Sequence, residues 1–190
     1  MAESLRLSRA ERAYLFNLAG RRDPASAADA GPPEAPPGLA EAVDRFDGPA
    51  YVLDRCWTAV CWNPAARRLF AGWLDGAERN LLRYLFRAPE ARALVVDWPD
   101  RARRVIAEFR ADFSRSLSDP QMRALVEELG AEDRQFARMW DEQAVLGREG
   151  GLRRFQHPLD GPLAFEQFTF QPAERPDWKL VLLVPRAGET

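Results

Sequence analysis

The spacing of the apolar residues changes near residue 147, and no other feature of the chain constrains its fold as tightly. Before that point, from Asn63 onward, apolar side chains recur every three to four residues, the period of a helix with one buried face. After it they alternate, in Arg153-Phe155-His157, in Leu163-Phe165 through Phe170, and in Trp178 to Val184. A period of two is that of a half-buried strand. Gly161-Pro162 and Arg175-Pro176-Asp177 supply turns between these three segments. Ahead of the helical stretch, Ala50 to Leu53 and Trp57 to Trp62 read as two further strands rich in Tyr, Val, Trp and Cys, with Asp54-Arg55 as the turn. The order is therefore two strands, a large helical block, then three strands. Segregated strands and helices predict an α+β fold with an antiparallel sheet of about five strands, not a doubly wound parallel sheet.

The helical block divides at its caps and breakers. A short helix around 39–46 ends at Asp47-Gly48-Pro49, and Asn63-Pro64 starts the next, with Asn as cap and Pro at the first helical position. Asn80 to Phe86 and Pro89 to Val96 are short helices. Residues 99–117 form the longest, with Val105, Ile106, Phe109, Phe113 and Leu117 at helical spacing. Asp119-Pro120 opens another, and residues 132–146 form the last, carrying Phe136, Met139, Trp140 and Val145. Gly147 to Gly151 is the turn-rich break before the strands.

The N-terminal part is separate. Ser8 and Glu11 have capping-box spacing at the head of a helix over 8–19, which Gly20 stops. The following Pro-, Ala- and Gly-rich stretch has no large apolar residue and cannot offset the entropy of ordering. We therefore divide the chain into a terminal helix at 1–20, a linker at 21–38 and a main domain at 39–190.

Composition excludes several function classes. The 190 residues are 46% hydrophobic and 29% charged, a globular balance, with a net charge of −2. A domain of this size buries roughly 70% of its unfolded surface and needs no disulfide or metal staple. The arginines are interleaved with acids, as in RARRVIAEFRAD, and read as solvated helix faces rather than a stripe for DNA. No stretch approaches the ~20 apolar residues of a membrane helix, and the N-terminus lacks a signal-peptide core, so no membrane partner and a cytoplasmic location are expected. Cys56 and Cys61 read as two small buried residues, beyond disulfide reach if they share one strand.

Catalytic chemistry is sparse. One histidine, His157, and two cysteines do not make a zinc set, which draws on three or four converging ligands. There is no nucleophile elbow, no phosphate loop and no dinucleotide fingerprint. The pair Glu127-Glu128 is adjacent on a helix, so its members point apart. Neither an enzyme nor a metal or organic cofactor is expected. Six tryptophans and eleven phenylalanines remain. Most belong to a core, but some can line a cavity, since an apolar pocket with few polar anchors is the usual small-molecule site.

Residues 50–186 resemble the MmyB-like ligand-binding domain of XRE-type helix-turn-helix regulators. The resemblance runs through PAYVLDRCWTAVCWNPAARRLF, ERNLLRYLF, VVDW with RVIAEFR, FARMWDEQAV, RRFQHPLDGPLAFEQFTF and KLVLLVPR, in order and in spacing. LSRAERAYLFNLAG looks like the last helix of the preceding DNA-binding domain. The rest of that domain is not in this chain, so DNA is expected as a partner only through a helix-turn-helix that this chain lacks.

The resemblance implies a PAS-like sensor that binds an apolar, fatty-acid-like molecule in place of a cofactor. Carried over, the ligand-binding residues are Trp62, Asn63, Leu69, Phe70, Leu82, Leu85 and Phe86, then Ile106, Phe109, Arg110 and Phe113, then Phe136, Trp140 and Phe168. A carboxylate would need an arginine fork. Arg110 lies near the long stripe and Arg153 and Arg154 open a strand, although each reads first as a surface residue; Asn63 reads first as a helix cap. Two rivals stand beside the sensor: a ligand-free module that dimerises the regulator or docks a partner, and a small enzyme with unplaced carboxylates. A homodimer is compatible with regulators that read paired half-sites.

Overall fold

The computed structural model describes residues 34–142, 151–173 and 175–186, together with Glu11 and Leu15. The chain divides into two units, Met1–Glu34 and Ala35–Thr190. In the first, Glu11 and Leu15 are helical; the rest of the helix read at 8–19 and most of the linker lie outside the described residues. In the second, helix α1 spans Pro37–Asp44 and so starts within the stretch read as linker.

Strands β1 (Ala50–Leu53) and β2 (Ala59–Trp62) follow, then α2 (Pro64–Leu69), α3 (Leu81–Arg87), α4 (Pro89–Leu94), α5 (Trp98–Ser114), α6 (Pro120–Glu132) and α7 (Arg134–Asp141). Strands β3 (Leu152–His157), β4 (Gly161–Phe170) and β5 (Lys179–Pro185) close the unit. All five strands form one antiparallel sheet in the order β2-β1-β5-β4-β3, with the helical block between β2 and β3. This is the PAS-like α+β architecture that the change of period predicts.

The local chemistry explains most boundaries. Asn63, Asn80, Asp119 and Asp133 each accept backbone N–H groups at the head of α2, α3, α6 and α7, satisfying donors that a helix start leaves unpaired. The last helix starts at Arg134, where Asp133 caps it, and it is described to Asp141; the remainder of the helix expected over 132–146 lies outside the described residues. Strand β2 begins at Ala59 rather than Trp57. Trp57 adopts φ 62° in a turn built on Asp54, whose Oδ1 accepts from the N–H groups of Cys56 and Thr58 at 2.8 and 2.9 Å. Cys56 accordingly sits in that turn, and no disulfide joins it to Cys61.

Strand β1 is buried at all four positions because it is covered on both faces. Tyr51 and Leu53 point into the main core with the helical block, whereas Ala50 and Val52 pack with Val43 of α1 and Trp178. The main core is aromatic: Phe86 meets Phe136 edge-on at 5.2 Å, and Trp57 meets Phe109 at 5.5 Å.

One buried side chain joins these layers. Asn63 Oδ1 accepts from Ala50 N–H at 3.0 Å and Ala66 N–H at 2.9 Å, while its Nδ2 donates to the carbonyls of Phe46 and Gly48, both at 2.8 Å. Asn63→Ala leaves four backbone groups without these partners, and three of those hydrogen bonds are buried. It should lower unfolding stability by about 3 kcal/mol or more, seen as a reduced urea midpoint at unchanged slope.

Candidate functional site

A cleft of about 770 Å³ lies between the inner face of the sheet and helices α3 and α5. One part of its wall is apolar, formed by Leu81 and Leu85 of α3, Val105 of α5, and Tyr51, Phe155 and Leu183 of the sheet. The other part is charged, formed by Arg101, Arg104 and Glu108 of α5 together with Arg153, Gln167 and Lys179 from the strands. Residues Val95 to Asp97 border it, held against β3 by the Val96 N–H to the Arg154 carbonyl at 3.3 Å and by a bridge between Val95 and Phe155. Gly151, also on the lining, approaches β4 so closely that a Cβ there would collide with the Gln167 carbonyl oxygen.

The geometry of α5 decides what enters the cleft. Its apolar stripe, Ile106 and Phe109 with Phe113 beside it, packs against the other helices. Arg101, Arg104, Glu108 and Ala111 recur at spacings of three and four, so they share a different face. That face, which the sequence presents as solvated, lines the cleft.

Two arginines are sunk into the charged end. The Arg153 side chain is only 11% exposed, which corrects its reading as a surface residue. Strand alternation turns it inward with Phe155, and its Nε donates to Gln167 Oε1 at 2.8 Å. Arg101 is 19% exposed, and its Nη1 is buried without a hydrogen-bond partner. Glu108 Oε1 stands 3.8 Å from Arg101 Nη1 and 3.9 Å from Arg153 Nη2, too far for a hydrogen bond to either. Burial pulls the Arg101 pKa down to about 10, with the Arg153 charge acting in the same sense. Burial likewise raises the Tyr51 phenol to about 12, against the opposing pull of both guanidinium groups.

Of the ligand-binding residues read from the sequence, Phe70 and Leu85 line the cleft. Leu69, Leu82, Phe86, Ile106, Phe109 and Phe136 are buried in the main core instead. Phe113 and Trp140 pair at 5.4 Å and pack against that core, as does Trp62, over which Arg79 sits. Phe168 lies on the outer face, 42% exposed, because its register opposite Leu182 turns it away while Gln167 and Thr169 face inward. Asn63 spends all four of its hydrogen bonds on backbone groups. Arg110 donates to the Met139 and Trp140 carbonyls at the end of α7 and lies over the Trp140 ring. It closes a helix end rather than facing the cleft.

The histidine is also committed. His157 Nε2 is 3.1 Å from the Arg68 carbonyl oxygen, and Nδ1 accepts from Asp160 N–H at 3.1 Å. Among the described residues no group of three or more His, Cys, Asp and Glu side chains converges as a metal site would require. No helix among them is long and apolar enough to cross a membrane.

Residues 35–190 match the family description of the MmyB-like transcription regulator ligand binding domain. The chain belongs to this family. The match covers the whole α+β unit and starts at the residue where the second unit begins. No curated protein matches the chain. As an MmyB-like domain, the unit is the ligand-binding part of a transcription regulator, and the family is one of regulators rather than of enzymes.

The cleft lies beside the aromatic core rather than inside it, so the two respond differently to substitution. Phe109→Ala should cost roughly 3–5 kcal/mol by opening a cavity in a fully buried position. Calorimetric melting checks this, and the variant's cleft-lining residues remain those of the parent.

Proposed function

We propose that the MmyB-like domain senses an apolar, fatty-acid-like small molecule held in the cleft between the sheet and α5, and thereby modulates DNA binding by a helix-turn-helix domain of the same regulator. The cleft carries this reading: its volume lies within the range of small-molecule sites, and its wall joins an apolar part to a charged part. The ligand acts by binding one arrangement of the domain more tightly than another. Helix α5 is a natural reporter, because one of its faces lines the cleft while the other packs into the core. The domain itself is not an enzyme in this reading, and the commitment of His157 to backbone groups supports that. A cytoplasmic location follows from work on DNA.

A second reading, a ligand-free dimerisation or docking module, is favoured by one observation. Phe168, Phe170 and Val184 are exposed together on the outer face of β4 and β5.

Native mass spectrometry of the purified chain, with organic extraction of whatever is released, separates the two. A co-purified acyl compound, or a mass increase on incubation with a panel of fatty acids, is the expected result. Ala107→Trp, which places a large side chain at the cleft wall, should reduce the bound fraction to a minor species while the protein stays folded. A clean protein mass that no fatty acid changes overturns the sensor reading and leaves the interface reading.

A further inference from the structure

We propose that Arg101, Arg153 and Tyr51 form the recognition site for a single carboxylate on the ligand, and that Glu108 is an internal carboxylate which the ligand displaces. This rests on the fatty-acid-like reading above and adds to it the head group and the residues that select it.

Three elements converge here: Arg101 comes from α5, Arg153 from β3 and Tyr51 from β1, and all three line the cleft. A buried donor without a partner costs the desolvation of that group, and charged donors cost most. Arg101 Nη1 is such a donor. It is also a strong one to satisfy, since a guanidinium binds a carboxylate through short, paired hydrogen bonds. Glu108 balances charge between the two arginines at 3.8 and 3.9 Å but bonds to neither. Its side chain is 34% exposed, so it can swing towards solvent at little cost. A ligand carboxylate entering in its place reaches both guanidinium groups at hydrogen-bond distance. Two of the donors of Arg153 are already engaged, Nε with Gln167 and Nη1 with the Leu152 carbonyl, which leaves Nη2 directed at the same point. The Tyr51 hydroxyl stays protonated at neutral pH and offers a further donor. The apolar wall of Leu81, Leu85 and Val105 then receives the chain that follows the head group.

The test is calorimetric titration of the purified chain with dodecanoate and with 1-dodecanol, which share a tail and differ in the head. The parent protein should prefer dodecanoate by at least about tenfold, the worth of one charge-assisted hydrogen bond. Arg101→Met should reduce that preference severalfold while binding of dodecanol changes little. Glu108→Gln, at a half-exposed position that does not threaten folding, should tighten dodecanoate and leave dodecanol unchanged. Equal binding of the two compounds by the parent overturns the anchor and leaves the apolar cleft intact. An unaltered preference in Arg101→Met, or weakened dodecanoate binding in Glu108→Gln, overturns it as well. Failure of both compounds to bind the parent overturns the fatty-acid reading and the anchor together.

Discussion

Strand β1 lies in the middle of the unit with helices on both sides, and the arrangement around it rests on hydrogen bonds made by Asn63. A strand covered on both faces has no access to water, so the backbone groups where the chain enters and leaves it must be paired within the protein. Asn63 meets that need with a side chain that has two donors and acceptor capacity for two more bonds, all of them used. It ties the loop after α1 to the first residue of β1 and starts α2 in the same place. The phase of β1 follows: Ala50 and Val52 face α1 and Trp178, while Tyr51 and Leu53 face the helical block. That phase sets Tyr51 at the wall of the cleft.

The cleft owes its mixed character to the two unlike faces of α5. Ile106 and Phe109 close the aromatic core against Trp57, Phe136 and Trp140. The neighbouring face carries Arg101, Arg104 and Glu108 over the sheet. Buried arginines are costly unless paired, and here the pairing is loose, with one guanidinium nitrogen left without a bond. Trp73 Nε1, Tyr84 Oη and Trp178 Nε1 also lack a partner among the described residues, but the Arg101 nitrogen is the one that belongs to a charged group.

Much of the fold was legible in the sequence because it depends on local chemistry. The change from period 3.6 to period 2 placed the helical block between β2 and β3, and Asn63-Pro64, Asn80 and Asp119-Pro120 marked helix starts by capping. The lining of the cleft was less legible. The largest apolar side chains, Phe86, Ile106, Phe109 and Phe136, were the natural candidates for a pocket lining, yet a side chain of that kind fills a core equally well, and these do. The signal that pointed at the cleft was quieter: Arg153 alternates with Phe155 and His157, so a charged residue shares the inward phase of a strand.

The order of elements, the antiparallel sheet and the apolar interior are all legible from residue spacing and from caps that act within a few residues. Long-range packing sets which face of α5 meets the sheet, closes the end of α7 with Arg110, turns Phe168 outward, and brings Arg101 and Arg153 together with Glu108 between them. These are contacts between residues far apart in the chain. Helical and strand periods state which residues share a face, but the packing partner determines whether that face becomes core, cleft or surface.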